Sequence, residues 1–120
     1  MSIVLLSGDL MCSSRIAAVA GHLGMSCATA MSVAALDERL VPGTRLVVID
    51  LSTPEVAPNV LVPKIRTSLA ARPRIVAFGP HVHGELLEEA ETSGCDVVVS
   101  RGEFFARLPE LLSLGIAPAS

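Results

Sequence analysis

The side chains best suited to chemistry stand at the ends of short apolar runs. Asp50 follows Leu46, Val47, Val48 and Ile49. A carboxylate in that position is expected to face a cleft, because an unpaired charge inside a core is too costly. The same position also suits an Asp that caps the following turn, together with Ser52 and Thr53. Three other apolar runs end in polar or turn residues: Ser7-Gly8-Asp9, Gly79-Pro80-His81 and Ser100-Arg101-Gly102. Asp9, Asp50 and Arg101 together would make an ion-pair cluster or, with further oxygen ligands, a cation site.

Other motifs carry less. His81-Val82-His83 has metal-ligand spacing, but Gly79-Pro80 before it and Gly84 after it make it a loop. No cluster completes a site there, so the expectation is a solvated loop. Ser7-Gly8-Asp9 lacks the glycine spacing of a dinucleotide fold and the Gly-Lys-Ser/Thr of a P-loop. Cys12, near a helix start, has a setting that can lower a thiol pKa, but a small buried thiol is the simpler reading. Glu85, Glu88, Glu89 and Glu91 read as a solvated helix face. No nucleophile–base pair is legible, so the chain is not expected to be an enzyme.

The elements that must position these residues alternate. Residues 3–6, 45–51, 75–78 and 97–99 are continuously apolar or nearly so, as strands buried on both faces of a parallel sheet are. Residues 26–31 form a weaker fifth strand. Helices are expected over 12–23, capped by Ser13 or Ser14 and stopped by Gly24, and over 33–40, 85–92 and 103–114. Between Pro54 and Pro73 a helix is expected to begin near Pro63, because proline suits a first helical turn. This βα alternation predicts one α/β domain over residues 1–120, with a doubly wound, five-stranded parallel sheet of order 2-1-3-4-5 and helices on both faces. That is the flavodoxin-like arrangement, in which ligands bind outside the carboxyl ends of the strands.

Composition narrows the function classes. A net charge of −3 over 120 residues, with no basic run, gives no reason to expect nucleic acid or an anionic membrane as partner. The first apolar run is short and lacks a basic leader, so neither signal peptide nor anchor is expected. No stretch approaches the roughly 20 apolar residues that span a bilayer. The three cysteines, Cys12, Cys27 and Cys95, are odd in number and without a Cys-x-x-Cys pair, which fits a reducing cytoplasm. The aromatic residues are Phe78, Phe104 and Phe105, expected in the core rather than as stacking platforms.

Residues 46–54, Leu-Val-Val-Ile-Asp-Leu-Ser-Thr-Pro, resemble the third-strand motif of response-regulator receiver domains of two-component signalling. Residues 75–79 resemble the receiver fourth strand. Gly94-Cys95-Asp96-Val97-Val98-Val99-Ser100-Arg101 resembles the approach to the fifth strand and its terminal Lys. The resemblance covers essentially the whole chain. It implies that Asp50 holds the phosphoacceptor position, Arg101 the Lys position, Gly79 the Thr/Ser position and Val98 the aromatic position, with Gly102 where a Pro usually stands.

The chain departs from the receiver pattern where that pattern carries chemistry. The acid pair that holds Mg²⁺ with the phosphorylated Asp is replaced by Ser7-Gly8, with Asp9 next. The expectation is therefore a degenerate receiver, without a cofactor or resident metal, that contacts a protein partner or a second copy. The helix 4, strand 5 and helix 5 face is the expected surface. An Asp50–Arg101 ion pair is expected to tie strands 3 and 5. Two rivals stand beside it: an atypical but active phosphoacceptor using Asp9 and Asp50 with Mg²⁺, and a flavodoxin-like domain binding a small ligand.

Overall fold

Alternating side chains on five strands build two cores, one on each face of a sheet. The structure, a computed structural model, describes residues 2–82 and 84–116. Its strands are β1 (Ser2–Leu6), β2 (Ser26–Ala30), β3 (Thr44–Asp50), β4 (Arg74–Gly79) and β5 (Val97–Ser100). All pair in parallel, in the order β2-β1-β3-β4-β5. This is the expected flavodoxin-like topology.

The helices are α1 (Leu10–His22), α2 (Val33–Arg39), α3 (Pro58–Ser68), α4 (Gly84–Thr92), α5 (Arg101–Ala106) and α6 (Leu108–Leu112), followed by a 3-10 turn, Ser113–Gly115. Ile3, Leu5, Leu46, Val48, Val76 and Phe78 point to one face and meet residues of α1, α5 and α6. Val4, Leu6, Val47, Ile49, Ile75 and Ala77 point to the other and meet residues of α2, α3 and α4. The period of two along a strand forces this division. Phe78 stacks on Phe104 with ring centroids 4.1 Å apart, and Phe105 meets both rings edge-on.

Three local expectations need correction. Helix α1 begins at Leu10 and is capped by Asp9, whose Oδ1 accepts from the Met11 and Cys12 amides at 2.9 and 3.2 Å. Asp caps as well as Ser does, and it stands nearer the end of β1 than Ser13 or Ser14. Gly24 does follow the helix, with φ of +74°, a conformation that favours glycine.

Helix α3 starts at Pro58, not near Pro63, and carries Pro63 inside. The proline removes the bond to the Asn59 carbonyl, but both residues are on the exposed side, where water can serve that carbonyl. The closing helix is two: Ser100 caps α5 through the Glu103 amide, and the chain turns at Arg107 before Leu108 and Pro109 begin α6. Among the described residues, no helix is long and apolar enough to cross a membrane.

Candidate functional site at the carboxyl ends of the strands

Strand register decides which side chains meet. Leu6 is level with Ile49, so Ser7 comes beside Asp50. Asp50 is level with Phe78, and Gly79 with Ser100. The ends of β1, β3, β4 and β5 thus converge, as the switch-point rule requires.

Asp50 is only 1% exposed. Its Oδ2 accepts from the Ser7 hydroxyl at 2.8 Å, and its Oδ1 accepts from the Ser52 amide at 3.0 Å. The second bond is the turn-capping role open to an Asp here. The Thr53 amide reaches the Asp50 carbonyl at 3.0 Å and closes the turn. Asp50 nevertheless lines a cleft of about 280 Å³, together with Gly8, Asp9, Thr53 and Arg101. Turn cap and cleft wall are one residue.

Arg101 does not make the expected tie to Asp50. Its Nη2 donates to Asp9 Oδ2 at 3.3 Å and lies 2.7 Å from Cys12 Sγ. Asp9 stands at the start of α1 with an open oxygen, whereas both oxygens of Asp50 already hold short-range donors. The tie therefore joins β5–α5 to the head of α1. Arg101 feels Asp50 only through its charge: burial works against the guanidinium, and Cys12, Asp9 and Asp50 more than offset it. Among the described residues, no Lys or Arg forms an ion pair with Asp50.

The Asp9 carboxyl is held below its ordinary range, first by the Cys12 amide and then by Arg101 and the Met11 amide. Burial pushes the Cys12 thiol up, opposed by the charge of Arg101. At Cys12 burial thus outweighs the nearby helix start and Arg101.

Gly79 is packed tightly. A Cβ there would stand 3.2 Å from Leu51 Cβ and 3.4 Å from its Cδ1. Val98 is half-buried beside the α2–α4 core. His81 lies in an exposed turn, and His83 falls outside the described residues.

Two features escaped the sequence reading. Thr53 is 5% exposed, and its Oγ1 is buried with no hydrogen-bond partner. Arg15 lies over the Phe105 ring at 4.5 Å, with Arg101 5.7 Å away on the same ring. The Arg15–Phe105 contact has no local signal, since it joins residues distant in sequence.

No family model matches the sequence, and no curated protein matches it. Solved structures do match. A response regulator from Thermotoga maritima aligns with a TM-score of 0.79 at 14% identity, covering 98% of each chain. A two-component response regulator from Clostridium difficile gives 0.80 at 15% identity, over 97% of this chain and 95% of that one. The signal receiver domain of a response regulator from Bermanella marisrubri gives 0.75 at 18% identity, over 92% and 97%. The chain has the response-regulator receiver fold.

On the receiver fold, the expected phosphoacceptor position of Asp50 is at the end of β3 and the Lys position of Arg101 is the first residue after β5. The Thr/Ser position of Gly79 closes β4. The structure brings Asp9, Asp50 and Arg101 to one cleft. Gly79 lies beyond the residues that line it.

Proposed function

We propose that this chain is a receiver-like signalling domain that works through protein contact, and that Asp50 is not phosphorylated by the usual Mg²⁺-dependent route. The observation that carries this reading is the company of Asp50. Phosphoryl transfer at a carboxylate depends on positioning and on metal-assisted charge neutralisation. Mg²⁺ asks for an octahedral set of hard oxygens. Here Ser7 donates a proton towards Asp50 where a second carboxylate would be needed. Asp9 caps α1 with one oxygen and holds Arg101 with the other. No three His, Cys, Asp or Glu side chains group to hold a metal among the described residues. These residues do not fit the ion.

The contact surface follows from exposed apolar side chains. Leu10 and Met11 head α1, and Met31 follows β2; Met11 is 84% exposed. The Cβ position of Gly8, just after β1, is 3.4 Å from the Met31 carbonyl. Val82, also exposed, is in the loop after β4. By contrast, α4 presents Glu85, Glu88 and Glu91 to solvent. The loops at the carboxyl ends of β1, β2 and β4, which carry these side chains, thus suit docking of a partner, or a second copy, better than the acidic face of α4.

The test is intact-mass spectrometry after incubation with acetyl phosphate and Mg²⁺. No phosphoryl adduct is expected. An adduct that disappears in Asp50→Asn would establish the active phosphoacceptor instead.

A further inference from the structure

Arg15 is an exposed cation that forms no ion pair among the described residues. Its guanidinium carbon lies 4.5 Å from the centroid of the Phe105 ring, and that of Arg101 lies 5.7 Å from the same centroid. The ring is itself fixed, because the buried Phe78 and Phe104 meet it edge-on. An aromatic face attracts a guanidinium through its quadrupole but offers no carboxylate to its five N–H donors. Arg15 is thus held against a rigid surface while its charge stays unpaired.

Both guanidiniums line one cleft of about 260 Å³, with Asp9, Met11, Cys12 and Phe105. It shares Asp9 and Arg101 with the cleft of Asp50, but Asp50 does not line it. Its charges do not balance. Asp9 is the one carboxylate on its wall among the described residues, and both oxygens already accept from the protein. Oδ1 accepts from the Met11 and Cys12 amides, and Oδ2 accepts from Arg101. The second guanidinium is left without a counter-charge.

We infer that this cleft binds a carboxylate carried on a short aliphatic chain, with Arg15 as its main partner. A guanidinium meets a carboxylate through two parallel N–H···O bonds. One surplus positive charge suits a monoanion better than a phosphate dianion, whose second charge would go unpaired on a chain of net charge −3. Exposed Met11 and the Phe105 ring give the same cleft an apolar wall for the methylene groups. A free aliphatic acid and the side chain of a glutamate in a polypeptide share this chemistry.

The experiment is an amide NMR titration of the full chain at constant ionic strength, without Mg²⁺ or phosphodonor. The probes are butyrate, its neutral isostere butyramide, inorganic phosphate and N-acetyl-glutamate methylamide. Saturable shifts at Met11, Cys12 and Arg15 are expected with both carboxylates and absent with butyramide. Affinity for butyrate should fall about fivefold in Arg15→Gln, the upper end for an exposed ion pair. Arg15→Lys should also bind more weakly, because it keeps the charge and loses the fork. Arg15 is exposed, so neither substitution disturbs the core. Tighter binding of butyrate would assign the site to a free acid, and tighter binding of the glutamate derivative to an acidic side chain; either upholds the carboxylate site. No saturable shift, equal shifts with butyramide, tighter binding of phosphate than of either carboxylate, or unchanged affinity in both variants would overturn it. None of these outcomes bears on the acetyl phosphate result, so the two readings fail separately.

Discussion

The Ser7 hydroxyl donates a 2.8 Å hydrogen bond to Oδ2 of Asp50, and both residues are buried. This bond ties the end of β1 to the end of β3 and uses the carboxylate as an acceptor. Removing the donor leaves a buried charge with one fewer partner. Ser7→Ala is expected to lower stability by about 1–2 kcal/mol. Urea unfolding should show a lower midpoint with an unchanged slope.

Restoring a hydroxyl at the end of β4 carries a steric cost. Any side chain at Gly79 enters the space of Leu51, whose Cβ is 3.2 Å from the Cβ position. Gly79→Ser is expected to destabilise by about 1 kcal/mol through overpacking. Adding Leu51→Ala removes the Cδ1 contact at 3.4 Å but keeps the Cβ contact at 3.2 Å, so the serine should be only partly better tolerated than in the single variant, a coupling that a double-mutant cycle measures.

The opposite end of the sheet is clamped by one side chain. Arg66 at the end of α3 donates to the Pro73 and Gly94 carbonyls and to Asp96, and Asp96 also accepts from the Ile75 amide. These bonds hold the starts of β4 and β5 together. Arg66→Met keeps the apolar stem and loses the fork, so a cost of about 2 kcal/mol is expected. Hydrogen exchange should accelerate first at β5, the edge strand.

Asp9 makes stability depend on acid. Its folded pKa lies below the ordinary carboxylate value, chiefly through the Cys12 amide. The contribution is therefore complete above the unfolded pKa of about 3.9 and is lost as pH falls through the folded value. Glu110, lowered by Arg107, adds a loss of the same sign. Asp9→Asn keeps a cap but weakens the tie to Arg101. Its melting temperature should fall below that of the parent at neutral pH, and the gap should close at the acid end of a pH series.

The sequence made β1, β3 and β4 legible because burial on both faces leaves unbroken apolar runs, and edge strand β5 legible through three consecutive valines, of which only Val99 is fully buried. Edge strand β2, Ser-Cys-Ala-Thr-Ala, has only Ala30 fully buried and so gave a weak signal. Pro63 misled because a proline's effect depends on which helix face it occupies, and that face follows from tertiary packing. The meeting of Asp9, Asp50 and Arg101 was legible from topology, since all three follow strands at the carboxyl edge. Which carboxylate Arg101 chooses was not. That depends on Ser7 and Ser52 having already occupied Asp50, a competition that spacing alone does not reveal.

On the proposed reading, Asp50 lacks the company a divalent cation needs. Mn²⁺ titration followed by electron paramagnetic resonance tests it directly, because bound Mn²⁺ loses the sharp signal of the free ion. An undiminished free-ion signal into the millimolar range is expected, identical for the parent and Asp50→Asn. A clear loss of signal is expected in Ser7→Asp combined with Arg101→Lys, which supplies a second carboxylate and frees Asp9. Tight binding by the parent chain that vanishes in Asp50→Asn would show instead that Asp50 belongs to a working cation site.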